Sequence, residues 1–197
     1  MENPQGSAPD HNIVLVVEDE PLVRMFAAEA LMDEGYRVFE AHDARDALTI
    51  LDHRRDIGVV VTDVEMPGGM DGLALASTIR DRWPETVILV NSGRVRPEPN
   101  ALPIGAGFIA KPYRISELVD QLERLLEQNG VRRRSDDDIL EAWYAAEIAH
   151  AKADPVDKPT LRARAMAAEQ MAIARFGYGA HSAVYDARFP DRPPPRP

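Results

Sequence analysis

The chain contains no cysteine, which removes disulfides and thiolate metal sites from its chemistry. It also lacks any apolar stretch near twenty residues, so no segment reads as a membrane-crossing helix. Met1 to Asn12 is polar and carries prolines, unlike a secretory signal, and these absences together suit a cytoplasmic protein without a membrane partner. A positive surplus is missing too. Residues 1–130 hold 12 basic and 23 acidic residues, and the remaining 67 hold 11 and 10. A formal net charge of −10 disfavours binding through phosphate contacts, so nucleic acid is not an expected partner. No internal repeat is present. The 197 residues, 45% of them hydrophobic, suffice for one good core and a small appendage.

From Ile13 to about Asn129, short β-rich runs alternate with amphipathic segments, the pattern of βα units around a parallel sheet. Strands are expected near 13–17, 36–40, 57–62, 87–91 and 106–110. Continuous runs such as Val59-Val60-Val61 predict strands covered on both faces. Pro21 opens the first helix and Gly35 ends it, while Asp43 caps the next. Ile115, Leu118, Val119, Leu122, Leu125 and Leu126 share one helical face, with Gly130 as the stop. The fold class is α/β, a flavodoxin-like five-stranded parallel sheet in the order 2-1-3-4-5, with its ligand site beyond the carboxyl ends of the strands. Between Ser92 and Gly107, Pro97, Pro99 and Pro103 stand where the fourth crossover helix belongs, and proline in a helix interior costs about 3 kcal/mol. A loop or short turn is expected there.

After Gly130 and Arg132-Arg133-Arg134, Ser135 caps a helix with an acidic first turn, running to about Ala153. Asp154 to Pro159 is a turn, and Thr160 caps a second helix through Phe176, stopped by Gly177 and Gly179. The organisation expected is a disordered segment over 1–12, an α/β domain over 13–130, a helical hairpin over 131–178 and an irregular proline-rich tail over 179–197.

The chemistry lies at strand ends. Asp63 closes the run Ile57 to Thr62, and Glu18-Asp19-Glu20 closes the run Ile13 to Val17. Two buried strands that both end in carboxylates build one anionic pocket. Like charges this close repel unless a cation balances them, and a hard divalent ion takes one or two carboxylates with carbonyl, water and phosphate oxygens. Asp19 and Asp63 supply carboxylates for Mg²⁺, with Glu18 acting directly or through water. Attack by Asp63 on a phosphoryl group gives an acyl phosphate if metal and a lysine neutralise the developing charge. Lys111, before Pro112, is that lysine, and the Ser92 hydroxyl donates to the new phosphoryl oxygen. Taken singly, each has an ordinary reading as a solvated strand end, a surface lysine or a turn. Their placement at four separate strand ends favours the functional one.

These residues resemble the receiver domain of two-component response regulators, through Val16-Val17-Glu18-Asp19-Glu20, Thr62-Asp63-Val64-Glu65-Met66-Pro67, Asp71-Gly72 and Lys111-Pro112-Tyr113. The resemblance covers Ile13 to about Gly130. It implies that Asp63 is the phosphoacceptor, Glu18 and Asp19 the acidic pair for Mg²⁺, and Glu65 a ligand through its backbone carbonyl. It also implies Ser92 as the switch hydroxyl, Lys111 as the phosphate-sensing lysine and Phe108 at the aromatic switch position. Gly68-Gly69-Met70-Asp71-Gly72 and Leu102-Pro103-Ile104-Gly105-Ala106 look like the receivers that partner HWE-type sensor kinases.

The function this implies is a non-enzymatic switch: a histidine kinase phosphorylates Asp63, and the output is protein binding or self-association through the C-terminal helices. A phosphate sink or shuttle is the alternative, and a DNA-binding regulator is less favoured, because a two-helix appendage lacks the third helix that braces a recognition helix. An aspartyl phosphohydrolase would place its nucleophile after the first strand, where Asp19 is followed by Glu20 and Pro21 instead of a second nearby aspartate.

Overall fold

The computed structural model describes residues 9–94, 96–98, 100–131, 133, 135–153, 157–176 and 180–190. Residues 1–8, Val95, Pro99, Arg132, Arg134, the 154–156 turn, Gly177, Gly179 and the Pro193-Pro194-Pro195 tail, all parts of the expectations above, lie outside the described residues. The chain divides into two units, Met1–Arg133 and Arg134–Pro197.

In the first unit, β1 (Asp10–Val17), β2 (Arg37–Ala41), β3 (Ile57–Asp63), β4 (Val87–Ser92) and β5 (Gly107–Ala110) form one parallel sheet in the order β2-β1-β3-β4-β5. The helices α1 (Pro21–Asp33), α2 (Ala44–His53), α3 (Gly72–Arg82) and α4 (Ile115–Gln128) cover it. Strand alternation explains why the valine runs are uninterrupted. Leu15, Val17, Val60 and Ile88 enter one apolar cluster with Leu51, Leu75 and Ile79, while Val14, Val16, Val59 and Val61 enter another with Leu31, Leu118 and Leu122. Asp43 and Asp71 cap α2 and α3, each accepting a backbone N–H three residues on at 2.8 Å. That hydrogen bond from Asp46 holds the Asp43 carboxyl below its ordinary value.

Among the described residues no helix lies between β4 and β5. Two turns stand there, with the Ala101 N–H on the Glu98 carbonyl at 2.8 Å and the Ala106 N–H on the Pro103 carbonyl at 3.0 Å. The amino terminus departs from expectation, because Asp10 to Asn12 belong to β1 and are not disordered. Gly58 accounts for this. A Cβ there would stand 2.6 Å from the Asp10 carbonyl carbon and oxygen, so only a glycine in β3 lets the start of β1 lie so close.

Among the described residues the second unit has three helices, α5 (Asp136–Lys152), α6 (Lys158–Phe176) and α7 (Ala180–Arg188), and two expectations are corrected by it. The stretch expected as irregular tail contains α7. Its signal in the sequence is little more than Tyr185 and Phe189 one turn apart, and what fixes it is packing. Tyr185 is fully buried, stacked on Tyr144 at 4.9 Å and edge-on to Trp143 at 5.7 Å. Second, α6 begins at Lys158, so Thr160 lies inside its first turn instead of capping it, and Pro159 sits where a helix tolerates proline. Ser135 does cap α5, accepting the Asp138 N–H at 3.1 Å while the Asp138 carboxylate accepts the Ser135 N–H at 2.8 Å. Arg175 reaches Asp136 at 2.5 Å and Arg188 reaches Asp137 at 2.8 Å, tying the later helices to the acidic start of α5. Tyr185→Ala is expected to remove about 3–5 kcal/mol from this unit. In the 197-residue chain a separate, lower melting transition should appear in the near-ultraviolet circular dichroism, and an unchanged melt would contradict the packing described. Among the described residues, no helix of the chain is long and apolar enough to cross a membrane.

Candidate functional site

The parallel register brings the site residues to one end of the sheet. Val17 pairs with Thr62, Asp63 with Asn91 and Ser92 with Ala110, so the residues at or just past these ends, Glu18, Asp63, Ser92 and Lys111, follow one another across four strands. The Lys111 N–H donates to the Ser92 carbonyl at 2.8 Å, which carries the ladder one residue beyond β5. The Lys111–Pro112 peptide bond is cis.

Glu18 and Asp63 are buried and Asp19 is half-buried, and each offers a carboxylate oxygen within 4.8 Å of the others. The Lys111 ammonium sits 2.7 Å from Glu18 Oε2 and 3.0 Å from Asp63 Oδ2. Burial pushes the Glu18 carboxyl up, and the hydrogen bond and charge of Lys111 only partly offset this. Burial would pull Lys111 down, but its two hydrogen-bonded carboxylates outweigh that and hold it above its ordinary value. The pair thus moves both groups upward. Desolvation wins at Glu18, whereas pairing to two carboxylates wins at Lys111, which is more exposed. Tyr113 is raised by burial, with Lys111 opposing and the two carboxylates adding to the shift.

The residues fit a hard divalent cation. Asp63 Oδ1 is buried without a hydrogen-bond donor, so an oxygen ligand stands ready in a pocket of three carboxylates with one ammonium among them. Ser92 stands beside this group, with its Oγ 3.5 Å from Glu65 Oε2, and the Gly93 N–H lies 3.3 Å from the same oxygen. The Glu65 side chain thus turns toward the end of β4. Phe108 stands apart, half-buried against the cluster that contains Leu75 and Ile88.

Two contributions were not read from the residues. The motif Asp71-Gly72 marks a close approach: the Gly72 N–H donates to the Val64 carbonyl at 3.0 Å, and a Cβ on Gly72 would stand 1.8 Å from the Asp63 carbonyl oxygen. Gly72→Ala is expected to push α3 away from the end of β3 at a cost of about 3 kcal/mol, read as a fall in the midpoint of chemical denaturation. An unshifted midpoint would show that α3 can start elsewhere. The other is Arg24, one turn into α1, whose Nη1 donates to the Glu18 carbonyl at 2.7 Å. No periodicity or motif singles it out.

A doubly wound parallel sheet with an acidic pocket, a buried aspartate and a lysine at its carboxyl end defines a phosphoacceptor domain. The chain belongs to the response regulator receiver domain family, whose model matches residues 14–123. It is 36% identical over 124 residues to the nitrogen assimilation regulatory protein NtrX of Azorhizobium caulinodans, covering 61% of this chain and 27% of NtrX. It is 36% identical over 119 residues to the sensor kinase CckA of Brucella abortus, covering 58% of this chain and 12% of that protein. The chain therefore spans about a quarter or less of the length of these curated relatives. Among solved structures it resembles the response regulator TrrA of Thermotoga maritima in complex with Mg²⁺-BeF, at 28% identity and a TM-score of 0.52, covering 58% of this chain and 98% of that one. Receiver domains are phosphoacceptors that partner histidine kinases and are generally not enzymes themselves.

Proposed function

We propose that this chain is a response regulator in which a histidine kinase transfers its phosphoryl group to Asp63. The observation that carries the reading is the Lys111 ammonium held between Glu18 and Asp63, with Asp63 Oδ1 buried and lacking a donor. An Asp63 oxygen attacks phosphorus, a P–O bond forms, the P–N bond to the kinase histidine breaks, and the imidazole nitrogen leaves with the bonding pair. Glu18, Asp19 and Asp63, with the Glu65 carbonyl, would hold Mg²⁺, which supplies charge neutralisation for the transferring oxygens. The complex of TrrA with Mg²⁺-BeF supports this assignment. Lys111 moves off Glu18 to meet the new phosphoryl group, Ser92 Oγ donates to another of its oxygens, and Phe108 repacks with that movement. The kinase we propose is of HWE type, a reading that rests on the likeness of Gly68-Gly69-Met70-Asp71-Gly72 and Leu102-Pro103-Ile104-Gly105-Ala106 to receivers that partner such kinases.

The output we propose is protein binding or self-association by the C-terminal unit, from a chain that works in the cytoplasm. Among the described residues three helices stand where two were expected, so helix number no longer argues against a nucleic-acid module. Charge still does, since residues 134–197 hold 9 basic and 10 acidic residues and Arg175 and Arg188 are paired internally. The test is labelling with radioactive acetyl phosphate. Label should require Mg²⁺, survive acid and be released by hydroxylamine, as an acyl phosphate is. Label that survives hydroxylamine would place the phosphoryl group on another side chain.

A further inference from the structure

Arg24 joins the acidic loop to a strand that supplies no carboxylate to the site. Its Nη1 donates to the Glu18 backbone carbonyl at 2.7 Å and its Nε to Glu40 Oε2 at 3.2 Å, with the side chain 18% exposed. The Glu18 N–H donates to the Ala41 carbonyl at 3.1 Å. Glu40 and Ala41 both belong to β2, the edge strand, which supplies no carboxylate to the cluster. Both backbone groups of Glu18 are therefore fastened to β2, one directly and one through a guanidinium. The fastened carbonyl belongs to the rigid peptide plane that links Glu18 to Asp19. Its tilt decides where both side chains leave the backbone. Beyond Val17 the pairing of β1 with β3 has ended, so the sheet itself no longer holds that plane.

We propose that Arg24 is a positioning residue for the acidic pair: by clasping the Glu18–Asp19 peptide to Glu40 it sets the direction of the two carboxylates toward Asp63. The inference rests on the magnesium reading given above. It uses the fork of a guanidinium: the carbonyl and the carboxylate meet two separate nitrogens, Nη1 and Nε, held in one plane, whereas the shorter lysine would have to draw both acceptors to a single nitrogen and so move the carbonyl it is meant to fix. Partners behind metal ligands typically change metal affinity by about 10–100-fold when removed.

The test measures Mg²⁺ binding to the full chain by titration calorimetry. Arg24→Ala is expected to bind Mg²⁺ about tenfold more weakly than wild type. Arg24→Lys should lose nearly as much although the charge is kept. Glu40→Ala should lose less, about threefold, and adding it to Arg24→Ala should cost nothing further, because both act through one clasp. With acetyl phosphate as donor, the half-saturating Mg²⁺ concentration should rise about tenfold in Arg24→Ala while the limiting rate stays within about twofold. A merely structural role would instead lower the metal-free melting temperature and the limiting rate and leave half-saturation in place. Wild-type Mg²⁺ affinity in Arg24→Lys overturns the proposal, and that variant with Glu40→Ala carries the test if Arg24→Ala does not fold. If wild type binds no better than Asp63→Asn, the magnesium reading falls and the inference falls with it. If Asp63→Asn loses affinity but the Arg24 variants do not, only the inference falls.

Discussion

Asparagine at position 63 is expected to abolish phosphoryl uptake, from near-stoichiometric label in wild type to background, whether the donor is a kinase or acetyl phosphate. The carboxamide oxygen is too weak a nucleophile to form the acyl phosphate, and no other described carboxylate has the same surroundings. Asp63 keeps one buried oxygen, Oδ1, without a donor, whereas Glu18 makes the shorter contact to Lys111 at 2.7 Å and Asp19 is only half-buried. The substitution is nearly isosteric and spares the Lys111–Glu18 pair, so the fold should persist. Circular dichroism of the variant checks that loss of label is not loss of structure. Retention of full label in a folded Asp63→Asn chain would move the phosphoacceptor elsewhere.

Lys111→Met is expected to separate metal binding from signalling. Removing the ammonium leaves two buried carboxylates without their counter-ion, a change that costs roughly 3–5 kcal/mol when a buried pair is broken. The sign of the pH dependence follows from Glu18. Burial raises its carboxyl above the ordinary 4.5, with Lys111 pulling it back, so loss of Lys111 drives it further up. A carboxyl raised in the folded state favours folding while protonated. That advantage is present below the unfolded value and is lost as pH rises through the folded one. Metal-free Lys111→Met should therefore lose most stability, relative to wild type, on going from pH 5 to pH 8. Lys111 itself is raised above 10.5, so its own contribution in wild type is present below that value and fades only as pH climbs through the higher folded one. Mg²⁺ should restore the variant at pH 8 and bind it more tightly than wild type, about tenfold, because no ammonium has to be displaced. Beryllofluoride, by contrast, should produce no conformational response, since the phosphate-sensing cation is gone. Thermal melts at the two pH values with and without Mg²⁺ decide this, and a variant as stable as wild type at pH 8 without metal would show that Lys111 does not balance the pocket.

The strands and the helices α1, α2 and α4 were legible because each buries a face or carries an end signal written in consecutive residues. Valine runs mark β1 and β3, and the Leu118 to Leu126 stripe marks α4. The C-terminal unit was less legible. Its helices are rich in alanine, which sets no clear face, and α7 depends on a single buried ring, Tyr185, whose partners Trp143 and Tyr144 lie some forty residues earlier. The start of β1 was missed for a related reason: Asp10-His11-Asn12 has no strand signal of its own, and what admits it to the sheet is the missing side chain of Gly58.

The amino-acid order alone determined which groups of this protein end up as acids, lysine and hydroxyl at the carboxyl ends of four parallel strands, because local hydrophobic runs fix where a strand stops. Tertiary structure alone decided how those groups face one another. The distances from Lys111 to Glu18 and Asp63, the stranded Asp63 oxygen and the reach of Arg24 from α1 to the Glu18 carbonyl and to β2 all arise from register and packing between elements, and no local pattern encodes them.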